Sequence, residues 1–223
     1  GTFQHSMQVA NLAAAVAEKL GAKSQLVRTG ALYHDIGKMK NPIYFTENQS
    51  GGISPHSTLS PEKSASIILK HVTDGVSIAD SHHLPQSIKD FITTHHGTSK
   101  TGYFYITYKN AHPDEEVDEA MFTYGGPKPT TREQAILMMA DSVEAASHSL
   151  KEYTERNINE QVEKIINSQL ESGMFTQAPL TFKDIDTIKA TFKERLKAIY
   201  HTRISYPKER QTSASNPSTA TRQ

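Results

Sequence analysis

Seven residues of this sequence have the types and placement to do chemistry together: His5, His34, Asp35, His71, His95, His96 and Asp141. His34 and Asp35 adjoin in Ala31-Leu32-Tyr33-His34-Asp35-Ile36-Gly37-Lys38. They offer an imidazole nitrogen and a carboxylate oxygen side by side, a mixed pair that suits first-row divalent metals. Taken alone, such a pair is more readily a helix cap. His95-His96-Gly97 repeats the arrangement of two polar groups at a helix end before a glycine, although His82-His83 shows that this chain also carries pairs of the ordinary surface kind. Asp141 differs from a surface acid because it follows the apolar run Ala135-Ile136-Leu137-Met138-Met139-Ala140. A carboxylate in such surroundings is costly unless it is paired or bound to a metal.

Helices must position these groups. The apolar face of Met7, Val9, Ala10, Leu12, Ala13, Val16 and Ala17 predicts a helix from about Phe3 to Leu20, ended by Gly21. His5 falls in its first turn, where the helix dipole disfavours a charged imidazole but not a neutral, metal-bound one. Ser24 is expected to cap a second helix that ends at His34-Asp35. Met39 to Ser60, with its prolines and paired glycines, reads as a long irregular loop, and loops of that length are commonly functional or mobile. Ser60-Pro61-Glu62 marks the next helix start. That helix places His71 in its last turn, where a histidine is often only a dipole partner, and Asp74-Gly75 is expected to break it before a short helix from Val76 to Ser81. Leu84-Pro85 opens the helix that reaches His95-His96. From Thr98 to Thr130 the apolar periodicity fails and aromatics cluster at Tyr103, Phe104, Tyr105, Tyr108, Phe122 and Tyr124. Such an insertion is a self-packed lid or a stacking platform for a base. Thr131 begins the apolar helix of Asp141, and two amphipathic helices follow, about Ile158 to Leu170 and about Phe182 to Tyr200, the latter capped by Thr181 with Asp184. The stretch from Lys208 is Ser-, Thr-, Gln- and Asn-rich, so one domain over residues 1–207 with a disordered tail over 208–223 is expected.

Composition narrows the partners. The chain has 223 residues, 36 % of them hydrophobic, enough for one sizeable helical core. Its 24 basic and 24 acidic residues cancel, so no bulk field attracts a nucleic acid polymer or an anionic membrane, and phosphate binding must come from local cations or metals. Cysteine is absent, which excludes disulfides and thiolate-bound zinc or iron-sulfur clusters. No apolar run approaches the ~18 residues needed to cross a bilayer. With no initiator Met and a candidate ligand already at position 5, the sequence is expected to be a piece of a longer one.

The order His5, His34-Asp35, His71, His95-His96, Asp141 resembles the HD superfamily of metal-dependent phosphohydrolases, and the number of histidines matches its two-metal form. The wording around these residues is similar to the cytoplasmic HD domain of PgpH-type seven-transmembrane-receptor HD hydrolases: Gly1-Thr2-Phe3-Gln4-His5-Ser6, His34-Asp35-Ile36-Gly37-Lys38, Ser60-Pro61-Glu62-Lys63-Ser64, His71-Val72-Thr73-Asp74-Gly75 and His95-His96-Gly97-Thr98. The likeness covers about residues 1 to 205. It implies an all-α HD-domain bundle around a dinuclear metal site, cleavage of cyclic di-AMP to the linear dinucleotide, and a cytoplasmic position behind a transmembrane anchor that precedes Gly1.

The ligands themselves imply the reaction type. Two metals can be held if Asp35 bridges them, with His5, His34 and Asp141 on one ion and His71, His95 and His96 on the other. Two cations a few ångströms apart lower the pKa of a shared water, giving hydroxide at neutral pH, and neutralise a phosphoryl group during in-line displacement. Imidazole-rich ligation without thiolate suits iron or manganese, and residue type leaves zinc, nickel and cobalt open. Asp35 and Lys38 are the expected catalytic pair, and Lys38, Thr98, Tyr103 and Tyr105 the expected substrate contacts, although a lysine at Lys38 is equally compatible with a solvated helix end. Two other readings share part of this pattern. A cyclic di-GMP phosphodiesterase of the HD-GYP kind shares the metal order, but those enzymes carry HHE and then GYP where this chain has His95-His96-Gly97 and Gly102-Tyr103-Phe104. A non-catalytic nucleotide-binding module should have lost ligands, and none is missing.

Overall fold

The computed structural model of the chain describes residues 1–49 and 51–201, the last by its backbone alone. The expected 207/208 boundary and the tail lie outside the described residues. Eight helices of eight residues or more occur among the described residues: α1 (Thr2–Lys19), α2 (Ser24–Tyr33), α3 (Pro61–Ser81), α4 (Gln86–Thr94), α5 (Gly102–Ala111), α6 (Arg132–Ser147), α7 (Glu155–Glu171) and α8 (Phe182–His201). No named strand occurs among them; Lys100 and Thr123 form one isolated bridge. The architecture is all-α, as expected.

α6 is the central rod. It is buried along almost its whole length, from Gln134 to Val143, which follows from an apolar run with no polar face. α1, α2, α4 and α7 pack around it, and α8 closes over α1 and α7. The α1 contribution is Val9, Leu12, Ala13 and Val16, none more than 1 % exposed. Burying each of the larger side chains is worth about 1.5–3 kcal/mol. Small residues let the helices close in, as at Gly30 of α2, where a Cβ would stand 2.3 Å from the Phe91 ring of α4.

Helix starts behave as the sequence indicates where a side chain caps them. Ser60 accepts from the Lys63 amide, Thr131 from the Gln134 amide, and Thr181 and Asp184 bond each other reciprocally in a capping box. Four expectations need correction. The second helix begins at Ser24 itself, behind Lys23, and has no side-chain cap. The helix expected from Ile158 starts a turn earlier, where Thr154 accepts from the Asn157 amide. The aromatic insertion contains a regular helix, α5, without a single buried residue, so no apolar face could announce it. The break at Asp74-Gly75 does not occur: α3 runs on to Ser81 and His71 lies mid-helix. Gly75 has a packing purpose instead. Its ideal Cβ would sit 3.3 Å from the Gly37 amide nitrogen, and a Cβ on Gly37 would fall 1.8 Å from the His71 carbonyl oxygen. Glycine at both positions lets the backbone after Asp35 lie directly on α3. Among its described residues, the connection from Ile36 to Thr58 then contains four short 3-10 turns.

Candidate metal centre

Five elements bring the seven residues to one point. His5 comes from the first turn of α1, His34 from the end of α2, Asp35 from the first position beyond it, His71 from mid-α3, His95 and His96 from the end of α4, and Asp141 from α6. All but His96 are buried, and His96 is half-buried.

Local hydrogen bonds aim the imidazoles. The Nδ1 atoms of His34, His71 and His95 bond the carbonyls three residues back, at Ala31 (2.6 Å), Ile68 (2.6 Å) and Ile92 (2.8 Å). A carbonyl only accepts, so each Nδ1 carries a proton, and each Nε2 is the atom that presents a lone pair when the ring is neutral. Those Nε2 atoms meet at Asp35. Its Oδ2 lies 3.3 Å from His34 and 3.6 Å from His5, and its Oδ1 lies 3.4 Å from His71 and 3.5 Å from His95. Asp141 Oδ1 closes the first side, 2.9 Å from His5 Nε2 and 3.7 Å from His34 Nε2. On the second side His71 and His95 Nε2 stand 3.2 Å apart, and a His96 nitrogen joins them within 4.8 Å.

These atoms fit divalent cations. His34 Nε2 and both Asp35 oxygens are buried without a hydrogen-bond partner. A buried carboxylate with no partner is costly. Ligand atoms held ~2.0–2.2 Å from a common ion stand about 3–3.5 Å from one another, the spacing found on each side of Asp35. The nitrogen and oxygen donor set suits first-row divalent metals.

The charge pattern agrees. Burial alone would lower the His5 and His34 pKa values, but the carboxylates of Asp141, Glu144 and Asp35 outweigh it, raising His5 to about 10 and His34 to about 9. The first side therefore attracts cations. Burial, reinforced by the neighbouring His95 and His71 rings, holds His96 well below the usual histidine range, and burial also lowers His95. His95 and His96 are thereby kept as neutral imidazoles. Asp35 and Asp141 stay ionised: burial opposes it, and the charges of His34 and Lys38 beside Asp35, and those of His34 and His5 beside Asp141, prevail.

Lys38 faces the same centre. Its Nζ is 2.7 Å from Asp35 Oδ2, an ion pair out of hydrogen-bond alignment, and donates to Glu47 Oε1 at 2.8 Å. The lysine is thus neither solvated nor a simple helix end. Thr98 is half-buried and its hydroxyl faces Met174 Sδ at 3.9 Å. Tyr103 is 77 % exposed, and the Tyr105 hydroxyl donates to Glu119 at 2.9 Å. None of these three hydrogen-bonds or ring-stacks with the seven residues, whereas Tyr124 of the same insertion stacks on His96, centroids 4.2 Å apart.

Two residues escaped the sequence reading. Glu144, one turn beyond Asp141 on α6 and 4 % exposed, hydrogen-bonds His5 Nδ1 and, through its other oxygen, His148 Nε2 at 2.8 Å. Carboxylates behind ligating histidines fix the tautomer and raise basicity. The signal was available, because residues three apart on a helix share a face. Glu47 gave no signal, since it sits in the irregular connection. A cavity of about 490 Å³ opens beside the cluster, between α1, α6 and α8. Thr98, Tyr103 and Tyr105 do not line it.

The family model described as the HD domain matches residues 2–146. A Listeria monocytogenes protein named cyclic-di-AMP phosphodiesterase PgpH is 49 % identical over 210 residues, which is 94 % of this chain and 29 % of that protein. The Bacillus subtilis protein of the same name is 45 % identical over 93 % of this chain and 29 % of its own length. This chain thus spans less than a third of those relatives. The crystal structure of the L. monocytogenes phosphodiesterase PgpH HD domain in complex with cyclic-di-AMP is 48 % identical, covers 90 % of this chain and 92 % of that one, and superposes with a TM-score of 0.87. The crystal structure of the same HD domain described without that ligand gives 0.86.

Proposed function

This chain belongs to the HD-domain family, and on that premise we propose that it is a metal-dependent phosphodiesterase that hydrolyses cyclic di-AMP to the linear dinucleotide pApA. The observation that carries the proposal is Asp35, whose two oxygens each face a separate pair of imidazole Nε2 atoms. That arrangement supports two ions bridged by one carboxylate, with His5, His34 and Asp141 on one and His71, His95 and His96 on the other. When bound, a pair of divalent cations acidifies a shared water and neutralises charge on a phosphoryl group. Iron or manganese suits the donors, and zinc, nickel and cobalt are compatible with the same residue types.

The protein's own groups do the rest. The Nδ1 bonds of His34, His71 and His95 hold their rings in one tautomer, so the donors need no reorganisation when they are used. Lys38 remains a cation, since Asp35 and Glu47 outweigh the burial that would lower its pKa. In this reading it takes a non-bridging phosphate oxygen and orients the diester for in-line attack. Asp35 stays ionised and unprotonated, leaving both oxygens available. The substrate's names among relatives, a cyclic di-AMP complex of the L. monocytogenes HD domain included, favour adenine.

The family likeness also supports a location. The chain is the cytoplasmic HD domain of a longer protein anchored in the cell membrane upstream of Gly1; no helix among the described residues is long and apolar enough to cross a membrane. Its partner is then the cyclic dinucleotide and no nucleic acid polymer. Asp35→Ala tests the site. Elemental analysis should show about two divalent ions per wild-type chain and loss of metal in the variant, with turnover abolished. An active Asp35→Ala protein would sink the bridged site.

A further inference from the structure

The irregular connection after Asp35 reaches back to the site through one short 3-10 turn, Thr46–Asn48, which carries two polar side chains in succession. Glu47 Oε1 accepts from Lys38 Nζ at 2.8 Å and from Thr2 Oγ1 at 3.2 Å. Asn48 Oδ1 accepts from the Thr2 amide at 2.9 Å, and its Nδ2 donates to Thr2 Oγ1 at 2.8 Å and to the Pro42 carbonyl at 3.1 Å. The Thr2 amide is among the N–H groups that α1 cannot satisfy from within, so Asn48 caps that helix from 46 residues away. Gly1 permits the approach, since a Cβ there would stand 1.7 Å from Asn48 Oδ1. One turn thus holds both the start of the helix that carries His5 and the ammonium of Lys38.

Phe45 anchors the turn on the cluster. It is 5 % exposed, and its ring meets that of His71 edge-on, centroids 5.6 Å apart. The Lys38 ammonium lies over the same ring, 5.1 Å from its centroid. Its remaining neighbours are Glu47 Oε1 and, at 2.7 Å, Asp35 Oδ2. A lysine has a flexible four-carbon stem and three N–H donors. Held by Asp35 alone, it would settle on the oxygen that faces His5 and His34, the one the first metal position needs. Glu47 gives it an aligned acceptor outside the ligand set. With one N–H donated there and Asp35 Oδ2 approached out of alignment, another N–H remains for a phosphate oxygen. A carboxylate beside a phosphodiester repels it, so what Glu47 contributes is placement and not charge.

We propose that Glu47 is a positioning residue for phosphodiester cleavage, holding Lys38 in the orientation that receives the phosphate, while Phe45 and Asn48 fix the turn that carries it. The proposal rests on the reading of the chain as a phosphodiesterase in which Lys38 takes a phosphate oxygen.

A double-mutant cycle of Glu47→Ala and Lys38→Ala tests it, on manganese-loaded protein with cyclic di-AMP as substrate. Glu47→Ala is expected to lower kcat/KM about tenfold or more, with bound metal and melting temperature close to wild type, and Glu47→Gln, which keeps an acceptor for Lys38, to recover most of that loss. In the Lys38→Ala background the same Glu47→Ala should change kcat/KM by less than about twofold, because no ammonium is left to place. A turn that is merely structural would act alike in both backgrounds and would lower metal content and melting with activity. Equal losses in the two backgrounds, or wild-type kcat/KM in Glu47→Ala, overturn the positioning role and leave the phosphodiesterase reading in place. Should Glu47→Ala fail to fold, Glu47→Asp, whose carboxylate ends one methylene short of Lys38, takes its place in the cycle with the same expected and opposing results. Wild-type protein that binds metal and leaves cyclic di-AMP intact overturns the phosphodiesterase reading and this role with it.

Discussion

Glu144 should govern the affinity of the first metal position although it touches no ion. Its carboxylate is 4 % exposed and bonds His5 Nδ1 and His148 Nε2, one with each oxygen. In Glu144→Ala the buried His5 N–H loses its acceptor, which costs about 1–3 kcal/mol, and the ring loses its reason to present Nε2 to Asp35 and Asp141. Losing a carboxylate behind a ligating histidine typically weakens metal binding about 10–100-fold, or about 1.4–2.8 kcal/mol. Glu144→Gln keeps an acceptor and loses the charge, so it should fall nearer the lower figure. His148→Ala, by contrast, removes a side chain that is 59 % exposed and that water can replace, and should leave affinity nearly unchanged. Competition against a chelator of known strength measures all three, with circular dichroism to confirm folding. Wild-type affinity in Glu144→Ala would refute the reasoning.

Two further outcomes follow from the same geometry. In the metal-free protein His5 and His34 titrate near 10 and 9, above the unfolded value of ~6.5, so their stabilising effect is complete below about pH 6.5 and disappears as pH rises through 9 to 10. His95 and His96 are lowered, so they destabilise as pH falls below about 6.5. The metal-free melting temperature should therefore decline from pH 7 toward pH 10. Metal must displace the His5 and His34 protons, so its affinity should climb over the same interval, and affinity that is flat between pH 7 and 9 would contradict this. Gly37→Ala places a methyl 1.8 Å from the His71 carbonyl oxygen, which forces the strand of chain behind Asp35 off α3. Melting should fall by several degrees and bound metal should drop with it; a variant that keeps both would show that the close approach is not what positions Asp35.

Legibility varied with the range of the interaction that decides each feature. The seven residues of the cluster were readable because each stands at a motif with its own local signature, and capping side chains such as Ser60, Thr131 and Thr181 mark helix starts within three residues. Gly75 misled because a glycine after an aspartate reads as a breaker, whereas its reason is Gly37, remote in sequence and adjacent in space. α5 was invisible since periodicity reports burial and nothing in that helix is buried. Glu144 could have been found from its spacing to Asp141. Neither Glu47 nor the groove between α1, α6 and α8 could, for both depend on segments that meet only in the folded chain.

Substrate choice by the metal-loaded domain tests the central claim most directly. Purified protein carrying manganese or iron is given cyclic di-AMP and cyclic di-GMP in parallel, and products are resolved by chromatography. The expected result is pApA from cyclic di-AMP, with kcat/KM at least about tenfold above that for cyclic di-GMP, the effect of one buried guanine group left unpaired. Equal or faster cleavage of cyclic di-GMP would contradict the assignment.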